Sequence, residues 1–491
     1  MHLGDTHHGN MQRRRFLKHG GSLVLSPMLL AALPQSALPQ SALLQSAVPR
    51  QDWNSFSRCE HYASYIEGIA RMRAVTDSAD PRSWRYWSRL YAQGAPLGRP
   101  YFLAWNRVLL SRFERQLQAV TGNAQLALPY WDCFRDPELP PEFTLPANWN
   151  ALYAPRAGDN VCAALSLAAF APQIINMQRG LPDAFEVIVE SLPHNTAHNL
   201  LGHAMAGMSA PDDPIFWLFQ ANLDRLWTAW MGAAGKRIPP SGNPYWDAAP
   251  MKDDAVPIPA QRDGLQYAQA SLPNALPAPT PGLTLPKDPI ARRLPANTFL
   301  FEDGRPGNMN ILRLPNAGMR FIDANHLALV SARRIVLADA SSTLELPLMT
   351  AASALLREML WPAGATSAYR GARIVCDDLQ TLGQGADGGY CYALYLNLPS
   401  AIDVASAQQR HLLGTTGAFE IAAARQRMAR GLAASARVDF AAGTVLQRVM
   451  TRACAGVSLS FCRINAAGPT PSGGVIAIGE VRLELSTVVD V

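Results

Sequence analysis

From Phe102 to Val120 apolar residues recur at helical spacing (Val108, Leu109, Phe113, Leu117, Val120), with Arg112, Glu114 and Arg115 set between them. That period predicts an amphipathic helix with one buried face. Similar patterns run near Phe185–His203 and Pro214–Met231, so residues 52 to about 235 read as a helical domain. Beyond it the pattern breaks. Thirteen of the 38 prolines fall within residues 239–295, and a backbone so often deprived of its N–H donors cannot hold long regular elements. From about residue 297 the period becomes two: Val481, Leu483 and Leu485 alternate with Arg482 and Glu484, and Tyr390–Leu398 is strand-like throughout. Residues 401–435, rich in Ala, Gln and Arg, predict a helical interruption of this β region.

The expected fold class is therefore α+β and multidomain, a helical core followed by a β-sandwich-like domain. The boundaries read from the chain are 1–48, 49–270 for the helical core, 271–296 for a proline-rich linker and 297–491 for the β-rich domain. Residues 1–48 look like a targeting segment. Arg13, Arg14 and Arg15 precede Phe16, Leu17 and Lys18, and an apolar run follows from Gly20 to Ala32. Paired arginines before a mild apolar stretch match a twin-arginine export signal, which places the mature protein in the periplasm or outside the cell. The apolar run is too short to span a bilayer, and nothing later suggests an anchor. Repeated Leu-Pro-Gln-Ser-Ala-like units over 32–48 form a low-complexity spacer.

Composition adds exclusions. The net charge is +5 with 16% charged residues, and no basic stripe or aromatic-interleaved Lys/Arg cluster occurs, which argues against nucleic acid as a partner. Seven cysteines, an odd number without CxxC spacing, suggest one or two disulfides in an exported protein and at least one buried thiol.

Two stretches carry the candidate chemistry. The first runs Arg99-Pro100-Tyr101-Phe102-Leu103-Ala104-Trp105-Asn106-Arg107 and continues to Pro129-Tyr130-Trp131-Asp132. The second runs Glu190-Ser191-Leu192-Pro193-His194-Asn195-Thr196-Ala197-His198 and leads to Asp213-Pro214-Ile215-Phe216-Trp217 and Asn222-Leu223-Asp224-Arg225-Leu226-Trp227. His194 and His198 stand four residues apart, the spacing that lets two imidazoles on one helical face reach one ion.

In order and content these stretches resemble the tyrosinase and polyphenol oxidase family of type 3 copper proteins over roughly residues 80–232. More loosely, Ala372-Arg373-Ile374-Val375 and Ser472-Gly473-Gly474-Val475 are similar to the shielding β-domain of its plant-type members. The resemblance implies a four-helix bundle in which six imidazoles hold a copper pair that oxidises phenols or catechols to quinones. It also implies where the six belong. At the first metal those positions carry Tyr91, Leu97 and Asn106; at the second they carry His194, His198 and Gln220. Leucine has no donor atom and a neutral amide is a poor copper ligand, so copper is not expected as a pair, and at most one weakly bound ion is. His203 could join the two histidines only if the helix ends at Gly202.

Glu190 and Asn195 match family positions that hold a water able to deprotonate phenols; helix capping and ordinary polar satisfaction remain the alternative. Arg107, Asp132, Asp224, Arg225 and Trp227 match scaffold positions, and Tyr267 matches a tyrosine motif that closes the core in plant-type relatives. The bundle-shaping residues persist while four of six ligand positions do not. The expected function is that of a pseudoenzyme: a subunit or partner of an active tyrosinase paralogue, or a binder of a phenolic small molecule. The competing expectation is a copper oxidoreductase with a degenerate, single-metal site. A shielded zymogen ranks last, since there would be little to shield.

Overall fold

A computed structural model describes residues 48–147, 149–251, 266–277 and 310–488, apart from 313, 315, 363–366, 400 and 401. The segment read as a twin-arginine signal and most of the expected proline-rich linker lie outside the described residues. Among those residues no helix is long and apolar enough to cross a membrane.

The predicted helices are present. Phe102–Thr121 and Ile215–Gly232 pack against each other, and Tyr62–Ala74 packs on the first of them. The Ile215–Gly232 helix is buried nearly all round, because its neighbours enclose it. Phe113 of one helix stacks on Trp217 of the other with ring centroids 3.5 Å apart, inside a large aromatic core. The stretch read as one helix near 185–203 is instead Phe185–Val189, a kinked turn over Glu190–Asn195, and Thr196–Leu201. Leu192 lies at φ −134°, ψ 115°, the extended geometry that a following proline imposes on its predecessor. The described parts of the proline-rich stretch hold a short 3-10 turn, Pro244–Ala248, and a single parallel bridge from Tyr267 to Arg50.

The β region is a sandwich. One sheet has the order β1 (Asn310–Leu312), β5 (Ser342–Pro347), β10 (Gly456–Asn465), β7 (Tyr390–Leu396) and β8 (Leu412–Gly417). The other runs β2 (Asn316–Ala317), β4 (His326–Leu337), β11 (Ile476–Ser486), β6 (Gly371–Thr381) and β9 (Val438–Ala441), with β3 (Arg320–Phe321) also on β4. All pairings are antiparallel except β1 with β5. Inward residues of both sheets, among them Leu344, Leu394, Phe461, Val481, Leu483 and Leu485, form one core. The helical interruption is two helices, Val404–Arg410 and Ala418–Ala429, on either side of β8.

Two expectations change. No disulfide forms: all seven cysteines are free thiols, five of them buried. Cys391 and Cys462 lie on the paired strands β7 and β10, but out of register, Cys391 facing Ile464 and Cys462 facing Ala393. The alternation in β11 does not mean a wet outer face, because Arg482 and Glu484 are as buried as the leucines. Arg482 pairs with Glu484 and, at 2.8 Å, with Asp377, while Arg373 reaches Glu484 at 2.8 Å. Helix Ala418–Ala429 lies against this sheet and against the histidine-bearing helix.

Candidate functional site

The site is built where four chain segments meet. Thr196–Leu201, with the kinked turn before it, carries His194 and His198, whose rings lie 4.5 Å apart by centroid. Both side chains are fully buried. His198 Nδ1 donates to the Met205 carbonyl at 2.7 Å, and His194 Nδ1 donates to Asn195 Oδ1 at 2.9 Å. That leaves each Nε2 as a bare acceptor, and both face the same atom. The Gln220 side-chain nitrogen, from helix Ile215–Gly232, sits 3.0 Å from His194 Nε2 and 3.5 Å from His198 Nε2. Burial drives both imidazoles towards the neutral form. The His198 pKa falls to about 3, and His194 lies well below the ordinary histidine range, with its histidine neighbour adding to the effect.

Rings close the pair in. Phe102 lies 4.6 Å from His194, and Phe219 lies about 6 Å from each imidazole. The innermost cover comes from the β-rich region: Phe419 stacks on His198 at 4.1 Å and 17°, and meets His194 edge-on at 5.5 Å. Phe419 opens a helix, and its N–H, one of the N-terminal amides that lack an intrahelical partner, donates to Asn199 Oδ1 at 2.9 Å. Asn199 in turn donates to Glu420 Oε2 at 2.8 Å. A Cβ on Gly417 would stand 2.4 Å from Asn199 Oδ1, so only glycine allows this approach. Gly202 is required for a second reason. It ends the histidine helix at φ +70°, and a Cβ there would meet the Asp387 carbonyl at 2.7 Å. The helix thus ends where His203 could have swung back, yet His203 is exposed and does not join the pair.

The first-metal positions are equally closed. Tyr91 is fully buried between Trp105 and Phe216, and burial, with the Glu190 charge adding, holds its phenol well above 10. Leu97 packs in the core and offers only its carbonyl, which accepts from Arg427 at 3.1 Å. Asn106 spends its amide nitrogen on the Phe102 carbonyl one turn back, at 2.9 Å. Among the described residues three buried atoms of this set have no protein partner: Tyr91 Oη, Asn106 Oδ1 and Gln220 Oε1. No group of three or more His, Cys, Asp or Glu side chains converges among the described residues. Tyr91→Phe is expected to be neutral or stabilising by up to about 1 kcal/mol in urea unfolding, because it removes an unpaired buried hydroxyl. A loss above about 2 kcal/mol would instead mean that the hydroxyl holds the site together.

Glu190 is fully engaged. One carboxylate oxygen accepts from the Gly98 N–H at 2.6 Å and the other pairs with Arg179. Burial pushes its pKa up against the pull of Arg179. Glu186, one turn earlier, accepts from the backbone N–H groups of Leu103 at 3.3 Å and Arg179 at 3.2 Å, and burial raises it to about 7. Asn195 meets His194 as described, so its amide oxygen is also taken.

The scaffold residues form a buried ionic frame. Arg107 donates to Asp224 at 2.6 Å and lies 3.9 Å over the Trp227 ring. Tyr267 donates to the other Asp224 oxygen at 2.6 Å and accepts from Arg50 at 3.0 Å. Arg225 pairs with Asp132 at 3.0 Å and donates to Asn222 at 2.8 Å. Sequence reasoning singled out neither Arg50, Arg179 nor Phe419. Phe419 carries no local signal at all, since only folding brings it to the histidines.

A family model for the common central domain of tyrosinase matches residues 84–162 and 144–233, the segment that supplies the histidines, Gln220, and Arg107, Asp132, Asp224 and Arg225 of the ionic frame. Residues 84–233 of this chain thus carry the common central domain of tyrosinase. Tyrosinase HcTyr1 from Hahella sp. (strain CCB-MM4) is 31% identical over 179 residues, which are 29% of this chain and 38% of that protein. The tyrosinase of Streptomyces glaucescens is 29% identical over 195 residues, 31% of this chain and 68% of its own length. The match thus spans well under half of the Hahella tyrosinase. Among solved structures, latent apple tyrosinase aligns over 90% of this chain and 98% of its own at 13% identity, with a TM-score of 0.47.

Proposed function

We propose that this protein keeps a tyrosinase scaffold without binuclear copper catalysis and acts by binding, as a subunit or partner of an active, exported tyrosinase. One observation carries the reading: the Gln220 amide nitrogen stands between the two histidine Nε2 atoms that a second copper would need. The other donors fit a copper pair no better. Leu97 has no side-chain donor, the Asn106 amide is bonded within its own helix, and the Tyr91 phenol is held neutral. Of the two binding modes, a protein partner is favoured over a phenolic ligand. The ring of Phe419 already stacks on His198, so a phenol ring would have to displace it to stack there. The twin-arginine segment would deliver the protein, already folded and with its partner, across the membrane.

The test is to purify the chain from copper-supplemented cells, alone and with a six-histidine tyrosinase of the same host. The expected result is copper far below one ion per chain, no oxygen uptake on catechol, and co-purification with the tyrosinase. Stoichiometric copper with catechol oxidation that His194→Ala abolishes would establish the oxidoreductase instead.

A further inference from the structure

The His194–His198 pair is more than an emptied ligand set; it is bonded as though something still held it. We infer that the Gln220 carboxamide stands in the place of a metal ion, cross-linking the two imidazoles and excluding metal through a single atom, its Nε2. This rests on the reading that the native protein is metal-free at the pair, and adds the reason.

The argument is one of donors and acceptors. The Met205 carbonyl can only accept, so His198 carries its proton on Nδ1 and presents a lone pair at Nε2. Asn195 Oδ1 fixes the same tautomer on His194. Two buried lone pairs then point into a space closed by Phe102, Phe216, Phe219 and Phe419. Each needs either a hydrogen or a cation, because an unsatisfied buried acceptor is costly. A primary amide nitrogen carries two hydrogens about 120° apart and no available lone pair, so one atom can serve both imidazoles. The opposite amide orientation would set a carbonyl oxygen against two lone pairs. Gln220 is itself fully buried in the middle of a helix, which fixes where its side chain starts.

Exchange of that nitrogen for oxygen should therefore reverse the site. In Gln220→Glu the size and shape are kept, but three acceptors face one another. Two histidines and a carboxylate are a set that tetrahedral zinc or cobalt accepts with a fourth position open. The native site sets two imidazole acceptors around one side-chain nitrogen and lacks the third donor.

The experiment folds the full chain, Gln220→Glu and Gln220→Leu in zinc or cobalt, removes loose metal by gel filtration, and measures bound metal and the visible cobalt spectrum. Gln220→Glu is expected to hold about one ion per chain with tetrahedral cobalt bands, and the native chain and Gln220→Leu less than about a tenth of that. Gln220→Leu should also unfold at lower denaturant than the native chain. A folded Gln220→Glu protein that stays metal-free overturns this inference while leaving the metal-free reading of the native protein standing. Native protein holding metal that His194→Ala releases overturns both. If Gln220→Glu does not fold even with metal, the native chain decides through long-range nitrogen NMR of its imidazoles. Unprotonated Nε2 on both rings with a slowly exchanging Gln220 amide supports the cross-link; a proton on either Nε2 refutes it.

Discussion

Asp224→Ala is expected to destabilise the protein by about 3–5 kcal/mol, the cost of breaking a buried ion pair by removing one partner. The carboxylate accepts from Arg107 at 2.6 Å and from Tyr267 at 2.6 Å, and Arg50 stands 3.9 Å away. Arg107 and Arg50 are essentially inaccessible to solvent, so without Asp224 one guanidinium loses its only carboxylate partner in this frame and the other loses part of its charge balance. Arg50 keeps Glu114, at 2.9 Å, which makes Arg107 the stranded charge. The four groups join the chain before the first helix, both long core helices and the segment around Tyr267 within the proline-rich stretch. The loss should therefore appear as one cooperative shift in the urea midpoint. A change below about 1 kcal/mol would mean that Arg107 finds water, and that the frame is not what aligns the helices.

The second large effect is a pH dependence located at Glu186. Its pKa lies near 7 in the folded protein, against an ordinary value of 4.5, with burial as the first cause and Arg179 opposing it. A carboxyl raised on folding binds its proton more tightly in the native state. Below about pH 4.5 both states are protonated and the group contributes no difference. As pH rises from there to about 7 the unfolded chain ionises first, and native stability falls by up to about 3 kcal/mol before levelling off. The groups facing Glu186 are Arg179, Glu190, Tyr101, Tyr245 and the Leu103 N–H, and the Arg179 charge shared with Glu190 trims that figure. Urea unfolding of native protein and Glu186→Gln between about pH 5 and pH 8 separates this carboxyl from other titrating groups. The native protein should lose stability relative to the variant as pH rises. Parallel curves would place the proton elsewhere.

Much of the scaffold is readable because its signals are local. The helical period around Phe113 and Leu117 and the alternation of Val481, Leu483 and Leu485 each depend on near neighbours alone. The same holds for the histidine spacing. Burial on one face repeats with the geometry of the element, so a short window suffices. Even the kink before His194 has a local cause, the proline after Leu192, although periodicity alone suggests a continuous helix.

The lost histidines are likewise a matter of residue types: no tertiary contact can make Leu97 a ligand. What residue type could not decide is how the remaining pair is satisfied. Whether His194 and His198 wait for a metal or are already bonded depends on the position of one amide nitrogen from a helix more than twenty residues away. The cover over them depends on Phe419, from the β-rich region, and the burial of Arg482 and Glu484 depends on what packs against their sheet, helix Ala418–Ala429 among it. Periodicity records which side of an element turns inward. It carries no record of what will be packed there, because hydrogen bonds and ring contacts between distant segments arise only once the chain has closed on itself.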